Sequence, residues 1–218
     1  MSSRNQMTGV EAKRIRLLLV DDHFFVRSGL TSSLEVESDL EIVAEAESVH
    51  EAVERYCQTV PDVILLDANL PDGHGLTALS RIQAKFPGVH ALMLSAEDSE
   101  EAVYRAMQAG ACGYLSKMTP REQLLEAIRK VAKGETFLPP ELEAKYERRC
   151  QQKDLSEREL DVLRRVAKGC PNKVIGEQLG IAEVTVKVHL RRMFEKLGAQ
   201  DRTSAATIAL RRGLISLD

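Results

Sequence analysis

No apolar run in this 218-residue chain approaches the roughly 20 residues needed to cross a bilayer, which argues against a membrane-spanning protein. Cysteine is scarce. Cys57, Cys112, Cys150 and Cys170 are scattered, and no two of them form a C-x-x-C pair. Neither a disulfide framework nor a structural zinc site is suggested, and free thiols fit a reducing cytoplasm. The opening stretch MSSRNQMTGVEAKR lacks the apolar centre of a secretory signal, so residues 1–14 read as a frayed tail.

What is present is an ordinary globular balance, 44% hydrophobic and 29% charged residues, in a chain long enough for one or two domains with a substantial core. The net charge of −3 hides an asymmetry. Residues 1–140 carry 14 basic and 21 acidic side chains, a net −7, whereas residues 141–218 carry 16 basic and 12 acidic, a net +4. Two jobs are implied, with an anionic partner expected for the second part.

Strand-like apolar runs recur at IRLLLV (15–20), LEIVAEA (40–46), VILLD (63–67), HALMLS (90–95) and GYLSK (113–117). Segments with helical spacing lie between them, at 49–58, 77–86 and 100–109, and a further helix is expected over about 121–133. This alternation predicts a parallel five-stranded α/β sheet with helices on both faces, over residues 15–134. The double proline Pro139–Pro140 and the polar residues after it read as a linker, 135–153, that can hold a short helix starting at the prolines. Residues 154–218 offer no strand and predict a small all-α domain. Ser156 and Glu159 form a capping box, and glycines 169, 180, 198 and 213 stop successive helices.

Ligands of doubly wound sheets bind outside the carboxyl ends of the strands. Those ends carry Asp21–Asp22, Asp67, Ser95 and Lys117. A single strand-end Asp is commonly solvated or caps a turn, and chance polarity accounts for one or two such groups but not for five. Crowded carboxylates repel unless a cation sits among them, and a hard, oxygen-seeking ion such as Mg²⁺ suits three of them.

With these landmarks, residues 15–134 resemble the receiver domain of two-component response regulators. The resemblance implies that Asp67 accepts a phosphoryl group. It implies Mg²⁺ held by the side chains of Asp22 and Asp67 and the backbone carbonyl of Asn69, with Asp21 acting through water. Ser95 and Lys117 would contact the phosphoryl oxygens. Tyr114 matches an aromatic that turns inward on activation, with a simple core or surface tyrosine as the alternative. Phe24 departs from the family pattern, where proline often follows "DDH", and His74 reads as a solvated loop histidine.

In the basic part, "NKVIGEQLGIAEVTVKVHLRRMFEKL" (172–197) reads as helix, turn and helix. Val186, Leu190, Met193, Phe194 and Leu197 share one face of the second helix, and Val184, Val188 and Arg191 the other, flanked by Lys187 and Arg192. Two outward valines are either tolerated on a basic surface helix or placed to meet thymine methyls in double-stranded DNA. Residues 155–215 resemble the LuxR-type helix-turn-helix, and with the receiver the whole chain resembles the NarL/FixJ subfamily. The resemblance turns Lys187, Val188 and Arg191 toward bases and puts Thr185, His189 and Arg192 nearer the backbone. It implies that the last helix, with Ala205, Ala206 and Ala209, dimerises, though its small residues suit packing within a monomer too. Ala182 stands where relatives often have a capping serine.

The expectation is a cytoplasmic, phosphorylation-controlled transcription regulator, phosphorylated at Asp67 by a sensor histidine kinase and active on DNA as a homodimer. Apart from its own labelling and slow dephosphorylation it would not be an enzyme. One rival is a DNA-binding regulator that works without phosphorylation. Another is a Mg²⁺-dependent phosphatase of the haloacid dehalogenase type, but Asp67-Ala68-Asn69 lacks the second acid of its D-x-D motif.

Overall fold

The structure, a computed structural model, describes residues 13–215, so the expected tail falls almost wholly outside the described residues. In chain order the elements are β1 (Ile15–Val20), α1 (Phe24–Leu34), β2 (Leu40–Ala46), α2 (Val49–Thr59), β3 (Val63–Asp67), β4 (Asn69–Leu70), β5 (Gly73–His74) and α3 (Gly75–Gln83). There follow β6 (Ala91–Ser95), α4 (Glu100–Gln108), β7 (Gly113–Ser116) and α5 (Arg121–Val131). The remainder is helical: α6 (Pro140–Cys150), α7 (Glu157–Ala167), α8 (Asn172–Leu179), α9 (Glu183–Leu197) and α10 (Arg202–Arg212).

Five strands form one parallel sheet in the order β2-β1-β3-β6-β7. Every residue of β3 and β6 is buried, as continuous apolar runs demand of strands covered on both faces. Side chains alternate across the sheet. Leu17, Leu19, Val63, Leu65, Leu92 and Leu94 face one core, which Leu34 of α1 and Leu124, Leu125, Ile128 and Val131 of α5 complete. Each such fully buried leucine contributes about 1.5–3 kcal/mol through lost contact with water. On α2, Val49, Ala52 and Tyr56 are buried, and on α3, Ala78, Leu79 and Ile82. These two helices pack on each other, with the Tyr56 ring 5.3 Å from that of Phe86.

The chain divides into two compact units, one holding the sheet to Ala96 together with Ala109–Phe137, the other Glu97–Gln108 together with Leu138 onward. In the second unit α6 is the short helix expected at the prolines within 135–153, with Pro140 in its first turn. It packs against α4, where Arg149 Nε donates to Glu101 Oε2 (2.6 Å) and the guanidinium lies 4.1 Å over the Tyr104 ring. The helices α7 to α10 enclose Leu160, Val162, Leu163, Val166, Ile175, Val186, Leu190, Met193 and Leu197. The Ser156–Glu159 capping box is formed, and a second box, Asp201 with Ser204, starts α10.

Candidate functional site

The register of the sheet brings the strand-end polar groups together. Val20 of β1 pairs with Leu66 of β3, so Asp21 and Asp67 follow side by side. Asp67 in turn pairs with Leu94 of β6, just before Ser95, and Ser95 pairs with Ser116 of β7, just before Lys117. Four neighbouring strands thus end on two acids, a hydroxyl and an ammonium. Asp21, Asp67 and Ser95 are each at most 3% exposed.

Lys117 Nζ lies 2.7 Å from Asp67 Oδ2 and 2.7 Å from Asp21 Oδ2. Burial works against the Lys117 ammonium, but the carboxylates of Asp21 and Asp67 beside it outweigh this and hold its pKa above the ordinary value. Burial pushes the Asp67 carboxyl up, and Lys117 together with the backbone N–H of Asn69 (3.3 Å) offsets this only in part. Lys117 meets Asp21 Oδ2 by charge but without hydrogen-bond geometry, so that buried oxygen has no hydrogen-bond partner. Asp22 is exposed, and His23 Nδ1 lies 2.7 Å from its Oδ1. Ligand atoms of Asp21, Asp22, His23 and Asp67 all lie within 4.8 Å of one another. Three carboxylates, one with a buried oxygen met only by the Lys117 charge, form a donor set that fits a hard divalent cation. The imidazole of His23 suits a softer ion and serves Asp22 instead.

The loop after Asp67 is pinned by residues whose roles the sequence did not disclose. Asn69 and His74 pair across the short β4–β5 hairpin, leaving Asn69 exposed. Both Asp72 carboxylate oxygens accept backbone N–H groups at the start of α2, from Val49 (2.7 Å) and His50 (3.0 Å). His74 is exposed, as expected, and is also the N-cap of α3, with Nδ1 accepting from the Leu76 N–H. Gly75 is obligatory by space: a Cβ there would stand 2.1 Å from the Asp67 carbonyl oxygen. Tyr114 is 2% exposed, its ring inward among the core residues.

In the second unit, α8 and α9 meet at Gly180, which takes the left-handed conformation (φ 65°). The approach is close enough that a Cβ on Gly176 would sit 2.7 Å from the Ile181 carbonyl. Val186, Leu190, Met193 and Leu197 are buried and Phe194 packs against them, which turns the opposite face outward. Val184 and Val188 are 67% and 44% exposed. Lys187, Arg191 and Arg192 are exposed, while Thr185 and His189 are half-buried. On this face Lys187 pairs with Glu183 (3.3 Å) and Arg191 with Glu195 (3.1 Å), each four residues apart. Arg192 instead lines a groove with Lys153, Lys196 and Arg212. Ala182 is the N-cap of α9 and supplies no side-chain bond. In α10, Ala205 and Ala209 are fully buried in the core of this unit, so these two serve packing within it, while Leu210 is exposed.

Among the described residues, no helix is long and apolar enough to cross a membrane. The family model "Response regulator receiver domain" matches residues 17–129, and the model "Bacterial regulatory proteins, luxR family" matches 153–209. The chain is 36% identical over 206 residues to the response regulator protein VraR of Staphylococcus aureus, covering 92% of this chain and 99% of that one. It is 34% identical to the response regulator ChrA of a haem-sensing two-component system, whose crystal structure matches with a TM-score of 0.54 over 93% of this chain and 99% of the other. The fold also matches RcsB of Salmonella enterica serovar Typhimurium, solved on a promoter with a phosphomimetic, at a TM-score of 0.70, 22% identity and coverage of 92% and 100%. The chain belongs to the response regulators, with a receiver domain followed by a LuxR-family DNA-binding region.

Proposed function

We propose that this response regulator is phosphorylated on Asp67 by a sensor histidine kinase in the cytoplasm and that the modification favours a homodimer bound to double-stranded DNA. The observation that carries this reading is the buried Asp21–Lys117–Asp67 arrangement, which combines a carboxylate nucleophile with a fixed cation. A carboxylate oxygen of Asp67 attacks phosphorus, the P–N bond of the kinase phosphohistidine breaks, and its electron pair leaves with the imidazole, which takes a proton from water. Lys117 moves from the carboxylate to the arriving phosphoryl oxygens, and the Ser95 hydroxyl donates to them. Asp22, Asp67 and the Asn69 carbonyl, with Asp21 acting through water, would hold Mg²⁺, which would supply positive charge to offset that of the phosphoryl group. Buried Tyr114 then reports the change to the surface that dimerises.

On DNA, the outward face of α9 enters the major groove. Lys187, Val188 and Arg191 read base edges there, while Thr185, His189 and Arg192 contact the backbone. The ion pairs of Lys187 and Arg191 with Glu183 and Glu195 are exchanged for contacts with DNA, and both are exposed enough for the exchange to cost little. The domain limits we adopt are 15–134 for the receiver, 135–153 for the connection and 154–218 for the DNA-binding region. The test is DNA affinity after in-vitro selection of a binding site, measured with and without acetyl phosphate and Mg²⁺. Tighter binding and a dimeric complex after phosphorylation are expected. Equal affinity in both states would favour a regulator that works without phosphorylation.

A further inference from the structure

Arg27 carries a charge into the first unit at only 6% exposure, and the phosphoryl-transfer scheme does not use it. It lies one turn into α1, where its N–H donates to the His23 carbonyl. A buried guanidinium must be paired, and this one is paired on three sides. Its Nε donates to Glu45 Oε2 (2.9 Å) and its Nη2 to Glu47 Oε1, both at the end of β2. The third prong goes elsewhere: Nη1 donates to the backbone carbonyl of Asp21 at 2.6 Å. Thr31 Oγ1 steadies the far side of the group by donating to Glu45 Oε1 (2.9 Å).

The Asp21 carbonyl belongs to the peptide unit that joins the two acids of the pair Asp21–Asp22. Its orientation sets ψ of Asp21 and φ of Asp22, the torsions that aim one carboxylate relative to the other. The peptide unit before Asp21 is also tied to β2, since the Asp21 N–H donates to the Ala46 carbonyl (3.1 Å). The end of β2 therefore clamps Asp21 from both sides, once by the strand ladder and once through Arg27. We infer that Arg27 is a positioning residue for the divalent-cation site, holding the Asp21–Asp22 peptide so that both carboxylates converge on one ion. This rests on the reading of the acidic cluster as a Mg²⁺ site.

Charge and positioning predict opposite signs here. Removing a cation near a cation site strengthens metal binding by Coulomb's law, whereas losing an outer-shell support typically weakens it by about 10–100-fold. The experiment is calorimetric titration of the full chain with Mg²⁺ alone, for wild type, Arg27→Gln and Arg27→Lys, with thermal melts in parallel. We expect Arg27→Gln to bind Mg²⁺ about 10–100-fold more weakly than wild type. Arg27→Lys keeps the charge but cannot bridge a carbonyl and two carboxylates at once, so it recovers the affinity only in part. If Arg27→Gln does not fold, Arg27→Lys decides by the same reading. A variant that melts lower but binds Mg²⁺ as wild type does, or more tightly, would overturn the inference and leave Arg27 a purely structural brace. Wild-type protein that takes up no Mg²⁺ would overturn the underlying reading, and the role of Arg27 with it.

Discussion

The strand-end acids of the first unit and the outward face of α9 both present charge, but they are built in opposite ways. Asp21, Asp67 and Lys117 come from residues up to 96 positions apart, are gathered by strand register, and leave Asp21 and Asp67 almost no exposure. Lys187, Val188 and Arg191 lie within five positions on one helix, and their charges pair locally in full contact with water. A group that must react with phosphorus gains from burial, because a fixed cation acts strongly in a medium of low dielectric constant. A surface that must read a polymer gains from exposure, because its cations have to trade partners on contact. Truncating one member should therefore be far costlier at the first site than at the second.

The largest effect is expected at Lys117. Lys117→Met removes the cation that lies between two buried carboxylates and should slow labelling by acetyl phosphate by about 10²–10³-fold, the usual loss when one charge-stabilising donor goes. Radiolabel kinetics at saturating Mg²⁺ check it, and a change below fivefold would equate this half-buried lysine with a surface cation.

Next comes a buried carboxylate with a half-buried lysine inside the second unit, which sharpens the contrast by placing both types of charge in one unit. Glu159 is 3% exposed, and its carboxylate accepts from Lys196 (2.6 Å) and from the Ser156 backbone. Burial alone would raise its pKa, but Lys196 and the Ser156 N–H outweigh burial and lower it. A carboxyl whose folded pKa is depressed stabilises above its unfolded pKa and loses that contribution as pH falls through the folded value. Glu159→Gln should cost about 1.5–3 kcal/mol near neutral pH and less in acid, read from denaturant melts of this unit's transition at several pH values.

For Arg191→Ala the expected loss is about 1–3 kcal/mol in DNA binding, with preference relaxed at one position per half-site. Arg192→Ala should weaken all sequences alike and lower the salt slope by about one. Selection experiments with both variants at two salt concentrations separate base reading from phosphate contact. An altered motif with Arg192→Ala alone would mean that the face is rotated from its assigned position.

The smallest effect is a gain. Ala182→Ser places a hydroxyl at the N-cap of α9, where no side-chain bond now exists, and should stabilise the helix by about 0.5–2 kcal/mol. Thermal melts that show no gain would mean the first-turn N–H groups are already satisfied.

What could be read from the sequence follows the same division. Continuous apolar strands announce a sheet buried on both faces, and their last residues announce the acids, because strand ends are marked by the change from apolar to polar residues. The outward face of α9 was equally plain, since a helical repeat places neighbours in sequence on a common face. Arg27 was not legible: FFVRSGL is an unremarkable helix start, and its partners Glu45 and Glu47 lie 18 and 20 residues away. The roles of Gly75 and Asp72 were not legible either, because close approach to the Asp67 carbonyl and capping of α2 depend on tertiary neighbours. The polar composition of 135–153 spoke for a linker. The prolines also announced the start of α6, but nothing local showed that Arg149 would be buried with an ion pair to Glu101.

The central claim is that the buried carboxylate of Asp67 is the reacting group. Intact-mass measurement followed by peptide mapping, after incubation with acetyl phosphate and Mg²⁺, tests it most directly in wild type and in Asp67→Asn. The account predicts one added phosphoryl group on Asp67 in the wild type and none in a variant that melts as a folded protein. Full labelling of Asp67→Asn at another residue would contradict it.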